Sequence, residues 1–251
     1  MVPDRIIAVR TAKTVYRDGD TCVKVFDATY SKADILNEAQ LQARAEETGL
    51  PVPAVLEVMP IDGKWAIRST FIPGKTLERL MKESPEKADA YLDLFVDIQL
   101  AVQATACARL PDLRDKMDRK IERADLDTAL QRDLQDRLMR MPRHQNLCHG
   151  NFEPSNIIIS GDGTPYILDW PHATCGNAFA DAAETYRLWM VSSDREGAER
   201  YLERFCRKSG ADTRSIREWM PFVAAARFGQ ANEKERQRLL SWMGDCAVDN
   251  D

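Results

Sequence analysis

The sequence lacks the features that mark membrane and secreted proteins. No stretch approaches the roughly 20 consecutive apolar residues that a membrane-spanning helix needs. The amino terminus, MVPDRIIAVR, has neither the long apolar core nor the small-residue cleavage site of a secretory signal. We therefore expect a cytoplasmic protein without a membrane partner.

Paired cysteines and clustered basic charge are also missing. The six cysteines are scattered, with no C-x-x-C pair and no regular spacing, so the sequence predicts neither a zinc site nor a disulfide framework. The formal net charge of -5 argues against a nucleic-acid partner, because binding phosphates requires clustered Lys and Arg. Basic residues alternate with acidic ones, as in DLRDKMDRKIER, which indicates a solvated helix face.

What is present begins with short β-like runs in the first third of the chain. Asp18-Gly19 and Asp62-Gly63 separate pairs of these runs, and Asp-Gly is a strong hairpin signal. Ser31 and Asp34 resemble a capping box that starts a helix ending near Gly49. Residues 1–73 are therefore predicted to form a small antiparallel sheet with one helix inserted after its third strand. The runs are RIIAVR, KTVYR, TCVKVF, VPAVLEVM and WAIRSTFI.

After Pro73-Gly74, a plausible hinge, the pattern becomes mainly helical and predicts a second domain over residues 74–251. Its only β-like interruption is NIIIS followed by PYILDW, which reads as a hairpin. The fold class is therefore α+β. The predicted helices are Thr76 to Lys82, Pro85 to Ala108, Leu113 to Arg123, Leu126 to Met141, Phe179 to Ser192, Arg195 to Ser209, Thr213 to Arg227 and Glu233 to Met243.

The stretch CHGNFEPSNIIIS, residues 148–160, leads into that hairpin and carries the candidate chemistry. Asn156 and Asp169 lie at opposite ends of the hairpin, so strand pairing would bring them near each other. An Asp with an Asn oxygen, waters and substrate phosphates is a common way to hold Mg²⁺. The spacing His-Gly, five residues, Asn, then Leu-Asp-Trp after a strand matches the catalytic and metal loops of kinases.

On these motifs the chain resembles the aminoglycoside phosphotransferase and choline kinase family of small-molecule kinases, over nearly its whole length. CHGNFEPSN is similar to the family's H-G-D-x-x-x-x-N loop, and YILDW to its metal-binding I-D-W strand. The resemblance implies a bilobal protein-kinase-like fold that uses ATP and Mg²⁺. Each residue alone has an ordinary explanation, such as a solvated lysine or a turn-forming amide. Their order and spacing together carry the interpretation.

The resemblance also implies roles for residues outside that loop. Lys24 matches the lysine that holds the α and β phosphates of ATP, and Glu38 matches its ion-pair partner. The segment from Thr70 through Phe71 and Ile72 would receive the adenine. Asp181 resembles the aspartate that braces the catalytic loop. The chain has no G-x-G-x-x-G, and the family covers the phosphates with a poorer loop, here residues 10–14.

Asn151 is the decisive departure, because the family has aspartate there. An aspartate would orient the acceptor hydroxyl and take its proton, whereas asparagine can accept a hydrogen bond but cannot hold the proton. Three explanations stay open: a kinase that tolerates the change, a nucleotide-binding pseudokinase acting as sensor or scaffold, or an asparagine introduced to trap a complex. His149 begins the same loop.

Glu153 stands where the family often has histidine, so a carboxylate lies two residues after the missing one. In an extended loop positions 151 and 153 would face the same side, so Glu153 could partly replace the base. Alternatively, it points to solvent or caps a helix. The expected acceptor is a small-molecule hydroxyl compound, with or without an amine: an aminoglycoside, an amino alcohol, a sugar or a macrolide. The sequence fixes no oligomeric state.

Overall fold

The computed structural model describes residues 5–10, 12–107, 109–192 and 194–244. Thr11, in the predicted phosphate-covering loop, and Ala108, the predicted end of a helix, lie outside this part of the chain. The β-strands are β1 Arg5–Arg10, β2 Lys13–Asp18, β3 Thr21–Phe26, β4 Val55–Ile61, β5 Lys64–Thr70, β6 Gly74–Thr76, β7 Asn146–Cys148, β8 Ile157–Ser160, β9 Pro165–Ile167 and β10 Thr174–Gly176. The α-helices are α1 Lys32–Glu46, α2 Leu77–Glu83, α3 Ala88–Ala104, α4 Leu113–Glu122, α5 Thr128–Arg140, α6 Ala178–Val191, α7 Arg195–Ser209, α8 Thr213–Arg217, α9 Met220–Phe228 and α10 Glu233–Gly244.

The chain forms two compact units. The first contains residues 1–87 and 154–173, and the second contains residues 88–153 and 174–251. The predicted domains, 1–73 and 74–251, divide the chain differently. The physical reason is strand pairing, because β6 pairs with β8 and thereby joins the β8–β9 hairpin to the first unit. The hairpin carries the predicted metal ligands, so these belong to the unit that contains the amino-terminal sheet.

The first unit is built on a five-stranded antiparallel sheet in the order β1-β2-β3-β5-β4. Both predicted Asp-Gly hairpins are confirmed, with positive φ at Gly19, Asp62 and Gly63. The capping box of α1 is confirmed as well, since the Ser31 and Asp34 side chains each accept the other's backbone N–H. Helix α1 then packs on the sheet through a small apolar cluster of Phe26, Ile35, Ala39 and Ile67.

The second unit is mainly helical, with one two-stranded sheet of β7 and β10. Phe95 on α3 lies at the centre of its aromatic core, with ring centroids 4.9 Å from Phe152 and 5.9 Å from Tyr201. Phe152 directly follows Asn151, so the core anchors the loop at this point. Among the helices in the part of the chain that the structure describes, none is long and apolar enough to cross a membrane.

Several element predictions were wrong. The hairpin is not the only β-structure after residue 73, because β6, β7 and β10 are strands of three residues each, too short to show alternation. The helix predicted from residue 85 to 108 begins as a 3₁₀ turn and ends as α3 at Ala104. The helix predicted from 213 to 227 is two helices, because α9 restarts around Pro221, whose ring removes a backbone donor.

The cysteine prediction was also wrong, because Cys107 and Cys175 form a disulfide. The two residues are separated by 68 positions, and their spacing carries no signal. Backbone pairing brings them together: Ala106 bridges Asn146 on β7, and Cys175 pairs with Leu147 on the same strand. Structural disulfides are typical of oxidising compartments. The cytoplasmic location stays a prediction, and the disulfide does not favour it.

Replacing both cysteines by serine should lower the free energy of unfolding by about 2–4 kcal/mol, because a cross-link between such distant residues restricts the unfolded chain. The measurement is denaturant unfolding under non-reducing conditions. Cys206→Ser is the matched control, since Cys206 is a free, half-buried cysteine in the same unit. A reductant should destabilise the parent chain and the control but leave the double variant unchanged. Insensitivity of the parent chain to reductant would contradict the disulfide's role.

Candidate nucleotide and phosphotransfer site

The first unit contains a cavity of about 250 Å³ beneath the five-stranded sheet. Its apolar wall includes Val15, Ile67 and Leu168, and its polar residues include Lys24 and Asp169. The predicted adenine segment, residues 70–72, and the predicted metal ligand Asn156 line the same cavity. Six predicted residues thus meet at this cavity or its ion pair: Lys24, Glu38, Phe71, Ile72, Asn156 and Asp169.

Lys24 forms the predicted ion pair and one more. Its Nζ lies 2.8 Å from Glu38 Oε1 and 2.8 Å from Asp169 Oδ1. Burial lowers the pKa of the Lys24 ammonium, but the Asp169 and Glu38 carboxylates outweigh it and raise the pKa above its ordinary value. The ammonium group therefore stays charged and is held at the cavity wall by one carboxylate from α1 and one that lies two residues after β9.

Asp169 is held in an uncommon backbone conformation, with φ at 63°. Non-glycine residues with positive φ are uncommon and concentrate at functional sites. Burial raises the pKa of Asp169, but Lys24 and then Lys13 overcome this effect and hold the pKa well below its usual range. Asp169 is consequently an ionised carboxylate facing the cavity.

The hairpin brings the backbone of Asn156 beside Leu168, the residue that precedes Asp169. Ile157 pairs with Ile167, and the Leu168 N–H donates to the Asn156 carbonyl at 2.8 Å. The donor set consists of one carboxylate and one amide oxygen, which suits Mg²⁺ when nucleotide phosphates and waters complete its coordination. Among the described residues no group of three or more His, Cys, Asp or Glu could hold a metal ion, so a metal here would need those additional oxygen ligands.

The predicted adenine segment already uses two of its backbone N–H groups in hydrogen bonds within the first unit. The Phe71 N–H donates to the Asp20 carbonyl at 2.9 Å, and the Arg17 guanidinium lies 4.3 Å from the centroid of the Phe71 ring. The Thr70 N–H likewise donates to the Ala54 carbonyl. A nucleotide base would therefore have to use other backbone groups of residues 70–72.

The loop that contains Asn151 lies in the second unit and is braced on both sides. Gly150 has a φ of 74°, which favours glycine, and its N–H donates to Asp181 Oδ1 at 2.7 Å. Asp181, on α6, is buried, so the bracing contact that the resemblance implied is present. Burial raises the pKa of Asp181, although the Gly150 N–H and the neighbouring His149 oppose the shift.

His149 is fully buried, and its Nδ1 accepts the Asn151 backbone N–H at 3.2 Å. Its ring meets that of Phe152 edge-on at 5.7 Å. These contacts fix the loop's conformation and keep the imidazole away from solvent. A direct proton-transfer role for His149 stays a prediction, whereas its contacts are those of a residue that positions the loop.

Asn151 and Glu153 are both half-buried in the second unit. Glu153 interacts electrostatically with Arg187, which is almost fully buried and forms salt bridges with Glu184 and Glu235. Burial lowers the pKa of Arg187, but Glu184, Glu235 and Glu153 raise it above its ordinary value. Glu153 is thus part of a charged cluster within the protein.

Lys13 also lines the cavity, and the sequence interpretation missed it. Its Nζ lies 3.0 Å from Asp169 Oδ1 and 3.4 Å from Oδ2. The signal was present in the predicted hairpin. A two-residue turn at Gly19-Asp20 sets Val15 opposite Lys24, which places Lys13 on the same face of the sheet as Lys24.

Comparison with known proteins identifies the family of the chain. The model of the phosphotransferase enzyme family (APH) matches residues 7–219. The chain therefore belongs to that family. No curated protein sequence matches it.

Solved structures of kinases share the fold. Aminoglycoside phosphotransferase APH(4)-Ia is similar over 98% of this chain and 93% of its own, with 16% identity and a TM-score of 0.69. A thermostable mutant of that protein, in a ternary complex with AMP-PNP and hygromycin B, covers 98% and 94% with 16% identity and a TM-score of 0.68. A choline/ethanolamine kinase family protein from Mesorhizobium loti covers 97% and 88%, with 15% identity and a TM-score of 0.61. These similarities confirm the predicted kinase-like α+β fold.

Proposed function

We propose that the chain is an ATP- and Mg²⁺-dependent phosphotransferase that moves the γ-phosphate to a hydroxyl group of a small molecule. The observation that carries the proposal is the position of Lys24, held by Glu38 and Asp169 at the wall of the cavity. Kinases of this kind use such a lysine to bind phosphates and such an aspartate to bind metal. Membership in the phosphotransferase family supports the same reaction class.

In this mechanism each predicted residue has its own role. The apolar wall of the cavity would contact the adenine ring of ATP. Lys24 would bind the nucleotide phosphates, and Asn156 with Asp169 would hold Mg²⁺. Bound Mg²⁺ would neutralise charge on the phosphates. Asn151 would accept a hydrogen bond from the acceptor hydroxyl and orient it, but its amide cannot keep the proton. The hydroxyl proton would then pass to an oxygen of the transferred phosphate or to water. In a loose transition state little deprotonation of the hydroxyl is needed before the phosphoryl group moves.

The acceptor's chemistry is less constrained. Two carboxylates that could have bound an amino group of the acceptor already have partners within the protein. Asp181 accepts the Gly150 N–H, and Glu184 pairs with Arg187. The panel should therefore include neutral and anionic alcohols beside amino sugars and amino alcohols.

Asn151 favours a second candidate function, a pseudokinase that binds nucleotide without transferring phosphate. Both candidates require the cavity to bind ATP. They differ in whether ADP is released when an acceptor is supplied.

Millimolar Mg-ATP should raise the melting temperature of the chain, because a ligand that binds only the folded state stabilises it. At a concentration about 100-fold above Kd the stabilisation is about 2.7 kcal/mol, and for a protein of this size each kcal/mol corresponds to roughly 2–4 °C. The measurement is a thermal-shift titration. Lys24→Met is expected to reduce the shift, and Lys75→Met, which removes an exposed lysine paired with Glu83, should preserve it. No shift in the parent chain would rule out both candidate functions.

A further inference from the structure

The cavity holds two lysines where the kinase pattern requires one. Lys13 at the start of β2 and Lys24 on β3 both reach Oδ1 of Asp169, at 3.0 Å and 2.8 Å respectively. Lys13 also lies 3.4 Å from Oδ2, so it contacts both carboxylate oxygens. The Lys13 and Asp169 side chains are 20% and 23% exposed, which leaves them accessible from the cavity that both line.

The two lysines differ in how they are anchored. Lys24 also bonds Glu38, a carboxylate fixed on α1 and only 8% exposed. Within the described residues, the side chain of Lys13 bonds Asp169 alone. If the Asp169 carboxylate is taken by another cation, Lys24 keeps an anionic partner and Lys13 loses its own.

Electrostatic repulsion then determines which of the two lysines leaves Asp169 when a cation binds there. A divalent cation at Asp169 would approach a carboxylate that already lies between two ammonium groups, and like charges at these distances repel strongly in a partly buried site. Moving Lys13 relieves this repulsion at the lowest cost, because its long flexible side chain bonds no second carboxylate among the residues that the structure describes. Phosphate oxygens of a bound nucleotide would offer it a new charged partner.

We propose that Lys13 is a positioning residue that exchanges between two partners, the Asp169 carboxylate in the nucleotide-free protein and the nucleotide phosphates when a divalent cation occupies Asp169. The proposal rests on the proposed nucleotide-binding function. Lys13 thereby excludes metal from Asp169 until nucleotide arrives. The ordinary alternative is a static ion pair that only stabilises the fold.

Lys13→Met should therefore change two binding constants in opposite directions. Mn²⁺ alone should bind roughly ten times more tightly, because one competing positive charge is gone. Its binding is measured as the decrease of the electron paramagnetic resonance signal of free Mn²⁺. Binding of Mg-ATP should weaken roughly tenfold, because a charge-assisted hydrogen bond to phosphate is lost. A static ion pair that stays on Asp169 predicts no weakening of Mg-ATP binding. Asp169→Asn identifies which Mn²⁺ binding belongs to this site.

Two further variants keep the test interpretable. Lys75→Met removes a lysine from a carboxylate pair in the same unit, at a residue that is not part of the cavity lining, and should leave both constants unchanged. Lys13→Arg keeps the charge and should retain Mg-ATP affinity within about threefold, which separates lost charge from lost folding. If Lys13→Met changes neither constant, or only one of them, the exchange is refuted. If the parent chain fails to bind Mg-ATP, the proposed function itself fails instead.

Discussion

The Asn151→Asp variant should transfer phosphate about 10²- to 10⁴-fold faster than the chain as it stands, which is the usual contribution of a positioned general base. The measurement is ADP release with a panel of amino sugars, amino alcohols, sugars and anionic alcohols. Aspartate is nearly the same shape as asparagine, so the substitution replaces an amide that cannot hold a proton with a carboxylate that can.

The loop is already built to present that carboxylate. The Gly150 N–H is bound by Asp181, and the Asn151 N–H is bound by His149. Thr185 on α6 donates to the Phe152 carbonyl at 3.4 Å, while the Phe152 ring is buried in the aromatic core. Because these contacts involve the backbone and neighbouring side chains, exchanging the side chain at position 151 should leave the loop in place.

Asn232→Asp is the matched control for this gain. It makes the same amide-to-carboxylate change in the same unit at an exposed position, where the Asn232 side chain accepts the Glu235 N–H and an aspartate can do the same. It should leave turnover unchanged. Equal activity of Asn151→Asp and the parent chain would show that the base is dispensable. ATP binding without ADP release in both forms would favour the pseudokinase.

Glu153→Gln tests whether the neighbouring carboxylate replaces the base. If it does, the substitution should lower turnover in the parent chain and have little effect in Asn151→Asp, where a base is present. The interaction of Glu153 with buried Arg187 gives it a structural reason to be charged, so we expect little change in either background.

Local signals explain why much of the first unit could be predicted from sequence. The Asp-Gly turns and the Ser31–Asp34 box act within a few residues, and they fix where β3 and α1 begin. These two elements carry Lys24 and Glu38, so the observed 2.8 Å contact between those side chains followed from local structure and family spacing.

The features that were missed depend on contacts between distant parts of the chain. Strands β7 and β10 have three residues each, and their pairing joins Cys148 to Thr174. The Cys107–Cys175 disulfide depends on that pairing, so the spacing of the cysteines in the sequence does not predict it. Lys13 is an exception among the missed features, because it could have been predicted locally. The register of the β2–β3 hairpin alone places it on the same face of the sheet as Lys24.

Lys24→Met is expected to impair both stability and activity. The substitution leaves the Glu38 carboxylate, 8% exposed, without its lysine, and removing one partner of a buried ion pair typically costs about 3–5 kcal/mol. Since Lys24 is itself 18% exposed, we expect a loss of about 3 kcal/mol in the free energy of unfolding. Phosphotransfer should fall roughly 10²- to 10³-fold, as when one preorganised donor to a developing charge is removed.

The stability loss should be nearly constant between about pH 5 and pH 9. The lowered pKa of Asp169 means that its stabilising charge is fully present above its unfolded pKa and is lost only as the pH falls through the folded value. The raised pKa of Lys24 means that its contribution is present below its unfolded pKa and is lost only as the pH rises through the folded value. Neither group titrates in the intervening range.

The Lys24→Met/Glu38→Met double variant separates the two effects. It removes both charges, so no uncompensated carboxylate remains, and replacing a buried pair with apolar side chains is often neutral or stabilising. Denaturant unfolding should show that the double variant is more stable than Lys24→Met, although its phosphotransfer stays as low because the phosphate-binding ammonium is still missing. Equal stability of the two variants would show that stranded charge is not the cause of the loss. Turnover preserved in Lys24→Met would remove Lys24 from phosphate binding, and the proposed mechanism would lose the residue on which it rests.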